Sequence, residues 1–126
     1  MAHILLVDDD STNIELASAV LEQAGHQVQR ASSGEAGIAM ASTTLPDLVL
    51  LDVQMPGMDG VEALRRLRAD VRTAGLKVVA LTALAMKGDR ERLLAAGFDA
   101  YVEKPIRYKA FLAALEQVLG RPGDGD

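Results

Sequence analysis

Leu48-Val49-Leu50-Leu51-Asp52-Val53-Gln54-Met55-Pro56-Gly57-Met58-Asp59-Gly60 is the stretch that decides the fold. Leu48 to Leu51 is an unbroken aliphatic run. A run without polar alternation reads as a strand covered on both faces, as in a parallel sheet flanked by helices. It stops at a carboxylate, Asp52. The residues that follow include Pro56, Gly57 and Gly60, so the chain turns there. Asp52 therefore falls at the carboxyl end of a central strand, where open α/β sheets place functional groups. An Asp in that position either caps the turn or does chemistry, and the rest of the chain has to decide between the two.

Upstream, Ile4-Leu5-Leu6-Val7 is a second short apolar run, and it ends in Asp8, Asp9 and Asp10. Ser11 and Thr12 offer helix caps, and Thr12 with Glu15 fits a capping box. Ile14, Ala17 and Leu21 follow at helical spacing until Gly25 stops the helix. Gln27 to Ala31 alternates weakly, as a less buried strand does, and the Ala-rich stretch from Gly34 to Ala41 reads as a helix. Leu45-Pro46 ends that helix and leads into the Asp52 strand.

Downstream, Val61 to Leu67 carries Leu64 and Leu67 in a helical pattern, with Arg65, Arg66 and Arg68 assigned to a solvated outer face. Lys77 to Leu81 is a fourth apolar strand closed by Thr82. Met86 to Ala96 is a charged helix ended by Gly97. Ala100-Tyr101-Val102 is a fifth strand, followed by Glu103-Lys104-Pro105. Phe111, Leu112, Leu115, Val118 and Leu119 share one face of a last helix ending at Gly120.

Strands alternating with helices imply right-handed crossovers and parallel pairing. The expected fold is α/β: a (βα)5 doubly wound, five-stranded parallel sheet. Residues 1–120 form one domain and 121–126 a flexible C-terminal tail. One domain is also what 126 residues allow. With 49% hydrophobic and 25% charged residues, the composition is that of a globular chain and not a disordered one. A net charge of −5 disfavours a nucleic-acid-binding surface. The absence of cysteine excludes disulfides, thiolate metal sites and cysteine nucleophiles, and fits a cytoplasmic setting. The apolar run near Met1 is too short for a signal peptide or a membrane span.

In this topology the C-terminal ends of all strands lie on one edge, which collects Asp8, Asp9, Asp52, Thr82 and Lys104. Carboxylates brought together stay ionised only if a cation joins them. Hard oxygen ligands with room for water suit Mg²⁺. A metal beside Asp52 neutralises an incoming phosphoryl group and leaves the carboxylate free to attack it, and aspartyl phosphates are known intermediates. Lys104 supplies a cation and Thr82 a hydroxyl for the phosphoryl oxygens. Taken singly, each has an ordinary explanation: a solvated acidic loop, a helix cap, a surface lysine. Tyr101 alone reads as packing, and His3 and His26 carry no expected chemistry. The joint placement of acid, acid, hydroxyl and amine at the same end of four strands is what ordinary explanations do not cover.

These residues, in this order and spacing, resemble the receiver domain of two-component response regulators over essentially the whole chain. The matching segments are Ile4 to Asp9, Pro46 to Gly60, Leu81-Thr82-Ala83 and Tyr101 to Pro105. Ala83 to Asp89 resembles single-domain cell-cycle regulators of the DivK type and receivers attached to hybrid sensor kinases. The resemblance implies a flavodoxin-like fold and a phosphorelay function. Asp52 would be the phosphoacceptor, served by a histidine kinase or a histidine phosphotransfer protein. Asp9, Asp52 and the backbone carbonyl of Gln54 would ligate Mg²⁺ (or Mn²⁺), with Asp8 acting through water. Thr82 and Lys104 would bind the phosphoryl oxygens. Tyr101 would turn inward with Thr82 and remodel the surface of the fourth helix, fifth strand and fifth helix for a downstream protein target. The Lys104-Pro105 peptide would be cis. Such a domain is not an enzyme in the usual sense, although it promotes its own phosphorylation and dephosphorylation. It would be cytoplasmic, a monomer or weak homodimer, with no nucleic-acid partner and no membrane insertion; Leu84, Leu93 and Leu94 are candidates for a dimer surface.

Two other readings compete. A haloacid-dehalogenase-like phosphatase carries an Asp-x-Asp nucleophile motif on an early strand, and Asp8-Asp9-Asp10 allows that spacing; the Gly-Thr that follows in that family is absent here. A docking module with this fold and no phosphorylation is the other. The start at Met1, just ahead of the first strand, favours a stand-alone receiver over one cut from a hybrid kinase.

Overall fold

The computed structural model of the protein describes residues 2–83 and 88–120. The elements run β1 (His3–Val7), α1 (Ser11–Gln23), β2 (Gln27–Ala31), α2 (Gly34–Thr44), β3 (Leu48–Asp52), α3 (Gly60–Ala69), β4 (Lys77–Thr82), α4 (Asp89–Ala96), β5 (Ala100–Glu103) and α5 (Tyr108–Leu119). All strand pairs are parallel, and the order across the sheet is β2-β1-β3-β4-β5. The direction of winding reverses between β1 and β3, which pair from Ile4↔Leu48 to Val7↔Leu51. That reversal opens a crevice at the C-terminal ends of the two strands, where such folds bind ligands. The expected doubly wound sheet is the observed one.

Strand alternation divides the core into two layers. Leu5, Val7, Val49, Leu51, Val78 and Ala80 point to one side and pack with Ala41, Ala63, Leu64, Leu67, Leu93 and Phe98, covered by α2, α3 and α4. Ile4, Leu6, Leu48, Leu50, Val79 and Leu81 point to the other and pack with Ile14, Ala17, Leu21, Phe111, Leu115 and Val118 of α1 and α5. Every residue of β3 is buried, as the unbroken aliphatic run requires. Each fully buried Leu or Ile contributes about 1.5–3 kcal/mol, so the central strands anchor the edge that carries the acidic residues.

Several local readings change. Helix α1 is capped by Asp10, whose Oδ1 accepts from the N–H groups of Thr12 at 3.0 Å and Asn13 at 3.5 Å; the Thr12–Glu15 box does not form the cap. Asp10 stands one turn ahead of the first periodic residue, and its carboxylate reaches both orphan donors. Helix α2, by contrast, runs to Thr44 and stops at the expected Leu45-Pro46. In its last turn the hydroxyls of Ser42, Thr43 and Thr44 each donate back to the carbonyl four residues earlier, at 2.9–3.0 Å. Leu45 then ends the helix with φ 47°.

Arg68 is not a solvated residue. Its guanidinium donates to the carbonyls of Ala74, Leu76 and Gly97 and to Asp99 Oδ2, which itself accepts from Val78 N–H at 2.8 Å. It thereby ties the segment before β4 to the turn after α4. Arg65 and Arg66 do face solvent, where both pair with Glu62. Leu93 is core, whereas Leu94 is partly exposed. Leu84, Met86, Lys87 and the tail 121–126 lie outside the described residues.

Candidate functional site

The pleat that builds the two core layers also aims the site. Leu6, Leu50 and Val102 belong to the α1/α5 layer. Two residues further along each chain come Asp8, Asp52 and Lys104. Period-two alternation therefore sends all three side chains to the same side of the sheet edge. Pairing continues past the strand ends: Asp8 N–H donates to Ala31 O at 3.1 Å, Val53 N–H to Leu81 O at 3.1 Å, and Lys104 N–H to Thr82 O at 2.8 Å. The backbone at or next to each functional side chain is thus tied to a neighbouring strand.

Asp8 and Asp52 are buried, with 0% and 1% of their surface exposed, and Asp9 is exposed beside them. One carboxylate oxygen from each of the three lies within 4.8 Å of the others. Three hard oxygen donors at this separation, two desolvated and one open to water, can hold a divalent cation of the Mg²⁺ type. Lys104 Nζ stands 3.4 Å from Asp8 Oδ2 and 3.3 Å from Asp52 Oδ2. Asp8 accepts further from Asp10 N–H on Oδ1 (3.0 Å) and from the Asn13 amide on Oδ2 (3.1 Å). Asp52 Oδ1 accepts from Gln54 N–H at 3.2 Å.

Burial is the largest influence on Asp52. It pushes the carboxyl up to about 7, helped by the hydrogen bond and charge of Asp8; the charge of Lys104 and the Gln54 N–H act in the opposite direction. A second charge next to Asp8 is unfavourable until a cation arrives, which makes the site receptive to one.

Thr82 is fully buried at the end of β4, one residue past Leu81, the register partner of Asp52. It follows Ala80 of the α2/α3/α4 layer, so it enters the edge from the opposite side to the three charged groups. Tyr101 is half-buried against that same layer, and its hydroxyl lies 3.5 Å from Glu103 Oε2. Burial, followed by the Glu103 charge, raises its ionisation above the ordinary phenol value. The Lys104–Pro105 peptide bond is cis. Gln54 lies in the turn after Asp52, offering its N–H to that carboxylate.

Sequence reading missed three contributors. Asn13 reaches Asp8; its spacing with Ala17 and Leu21 puts it at the sheet-edge end of the buried stripe of α1 and was the available signal. Asp10 caps α1 and does not join the carboxylate cluster. Gly60 starts α3 directly against β3: a Cβ there would stand 2.7 Å from Val53 Cα and closer still to the Asp52 carbonyl. No residue type but glycine fits this approach.

The sequence pattern of the response regulator receiver domain matches residues 4–116. The chain belongs to that family. The polar-differentiation response regulator DivK of Brucella ovis is 35% identical over 117 residues, covering 93% of this chain and 95% of that protein. Among solved receivers, that of a sensor histidine kinase from Pseudomonas aeruginosa superimposes with a TM-score of 0.87 at 32% identity, covering 95% of this chain and 98% of that one; it was crystallised with a magnesium ion coordinated in its active-site cleft. A receiver domain protein from Clostridium thermocellum gives a TM-score of 0.86 at 27% identity, with 96% of each chain covered. As a receiver, the chain is a signalling domain of two-component systems and not a conventional enzyme. No helix among its described residues is long and apolar enough to cross a membrane.

Proposed function

We propose that Asp52 is the phosphoacceptor of this receiver and that Asp9, Asp52 and the Gln54 carbonyl hold Mg²⁺ (or Mn²⁺), with Asp8 acting through water. The observation that carries the reading is the buried Asp52 carboxylate at the end of β3, gathered with Asp8, Asp9 and Lys104. The magnesium-bound receiver of the Pseudomonas kinase supports extending this to the cation.

The donor is a phosphohistidine on a kinase or phosphotransfer protein. An Asp52 oxygen forms the new O–P bond as the N–P bond breaks, and the imidazole leaves with the electron pair. Bound Mg²⁺ supplies positive charge to the phosphoryl oxygens. Lys104, already 3.3 Å from Asp52, turns to another of these oxygens, and Thr82 donates its hydroxyl to a third. The modification adds about −1.5 to −2 charges at neutral pH. Withdrawal of Thr82 towards the phosphoryl group makes room for Tyr101 to turn inward, which alters the α4–β5–α5 face for a downstream protein. Reversal occurs by water attack on the aspartyl phosphate. The phosphatase alternative loses support because Asp10, its second motif acid, is engaged as the α1 cap.

Intact mass after incubation with acetyl phosphate tests the reading. A single phosphoryl adduct is expected that requires Mg²⁺ and is absent from Asp52→Asn. An adduct that persists in Asp52→Asn would overturn the assignment. Absence of any adduct, with phosphohistidine donors as well, would favour a docking module.

A further inference from the structure

Among the described residues, Asp8 has four contacts in two classes. Two are short and come from its own β1–α1 segment: Asp10 N–H on Oδ1 at 3.0 Å and the Asn13 amide on Oδ2 at 3.1 Å. The others are the approach of Lys104 to Oδ2 at 3.4 Å and the proximity of Asp52. The lysine is as near to Asp52, and both its distances exceed the 2.7–2.9 Å of a tight charge-assisted bond. It is shared between two carboxylates and committed to neither.

Resting on the receiver reading above, we propose that Asn13 is a positioning residue that holds Asp8 independently of Lys104, so that the lysine can leave when the site takes up a cation or a phosphoryl group. A buried carboxylate cannot be left without donors. Because a carboxylate only accepts, the Asn13 side chain must present its NH₂ there. It is also well fixed. It lies at the site end of the Asn13–Ala17–Leu21 stripe, half-buried, with its own N–H bound by Asp10. A neutral amide orients Asp8 without placing a second fixed positive charge against an incoming cation, as Lys or Arg at this position would. Without the amide, Asp8 Oδ2 depends on Lys104, and a lysine held there competes with Mg²⁺.

Titration calorimetry of Mg²⁺ into the unphosphorylated protein tests this in a cycle of wild type, Asn13→Ala, Lys104→Met and the double variant. Asn13→Ala should weaken Mg²⁺ binding about fivefold while Lys104 is present, and less than about twofold in the Lys104→Met background. An equal loss in both backgrounds would show that the amide merely shapes the loop and would overturn the proposal. So would unchanged or tighter binding in Asn13→Ala alone. Asn13→Ser, whose hydroxyl is too short to span to Oδ2, replaces Asn13→Ala if that variant does not fold, with the same outcomes. A wild-type protein that does not bind Mg²⁺ would overturn the receiver reading itself, and this inference with it.

Discussion

Lys104 Nζ stands between Asp8 and Asp52, 3.4 Å from an oxygen of the first and 3.3 Å from an oxygen of the second. Residues from the ends of β1 and β3 and from just past β5 therefore share one cation, and β4 contributes Thr82 to the same edge. The ammonium offsets the repulsion between two buried carboxylates. Removing it leaves charge without compensation, a loss of about 3 kcal/mol when both acids are ionised. Lys104→Met should melt several degrees lower than wild type near pH 8, and Mg²⁺ should restore much of the loss by binding only the folded state. Thermal melts with and without Mg²⁺ read both effects. A variant as stable as wild type near pH 8 would show that the lysine contributes little.

Asp52 makes stability depend on pH with a definite sign. Its carboxyl ionises near 7 in the folded chain, against an ordinary value of 3.8. Between those two pH values the folded state keeps a proton that the unfolded state has lost, so stability falls as pH rises and the penalty is complete above about 7. Asparagine removes that ionisation. Asp52→Asn should stabilise the protein by on the order of 2–4 kcal/mol near pH 8, and by little near pH 4. Urea unfolding across this range, without divalent cations, gives the comparison. A constant difference between the two proteins would contradict the assignment.

Gly60→Ala should be far more damaging than a glycine-to-alanine change at a helix start normally is. The new methyl group would collide with the Asp52 carbonyl and Val53 Cα, and neither can move without shifting the end of β3. A loss of about 3 kcal/mol is expected, together with slower phosphorylation of the adjacent carboxylate. Denaturant titration and the acetyl phosphate mass assay measure the two parts separately.

Arg68→Ala should cost about 2 kcal/mol, since three backbone carbonyls and Asp99 lose the guanidinium, although Asp99 keeps the Val78 N–H. Arg68→Lys should recover little of it, because one ammonium cannot reproduce the planar fork that spans Ala74, Leu76, Gly97 and Asp99. Acetyl phosphate labelling of Asp52 should persist in both variants at temperatures where they remain folded. Full recovery of stability in Arg68→Lys would show that charge alone matters.

Leu45 holds the left-handed conformation at φ 47° with half its surface exposed. Its side chain pays a backbone penalty and buries little in return. Leu45→Gly should raise stability by up to about 1 kcal/mol, and Leu45→Asn by somewhat less; thermal melts decide whether the exposed leucine packs more than its burial suggests.

The layout of the sheet was legible from residue chemistry because each strand is either a continuous aliphatic run or a short apolar segment closed by a polar residue. Leu48 to Asp52 is the clearest case: four aliphatics cannot face water on either side, and the acid that follows must lie at the rim. Boundaries were less legible where two capping residues compete, as at Asp10 and Thr12. That outcome turns on hydrogen bonds of similar strength, which composition does not rank.

The sequence by itself determined the parallel α/β architecture and the gathering of Asp8, Asp9, Asp52, Thr82 and Lys104 at one sheet edge, because strand periodicity and chain direction fix which end each residue occupies. The tertiary structure alone decided the pairing within that set: Lys104 midway between two buried acids, Asn13 on Asp8, Asp10 turned away to its helix, Arg68 drawn from the surface into a clamp. Those choices depend on distances of a few ångströms between residues far apart in the chain, and on burial that turns an ordinary aspartate into one that resists ionisation. Periodicity specifies which face a side chain occupies; only packing specifies its partners.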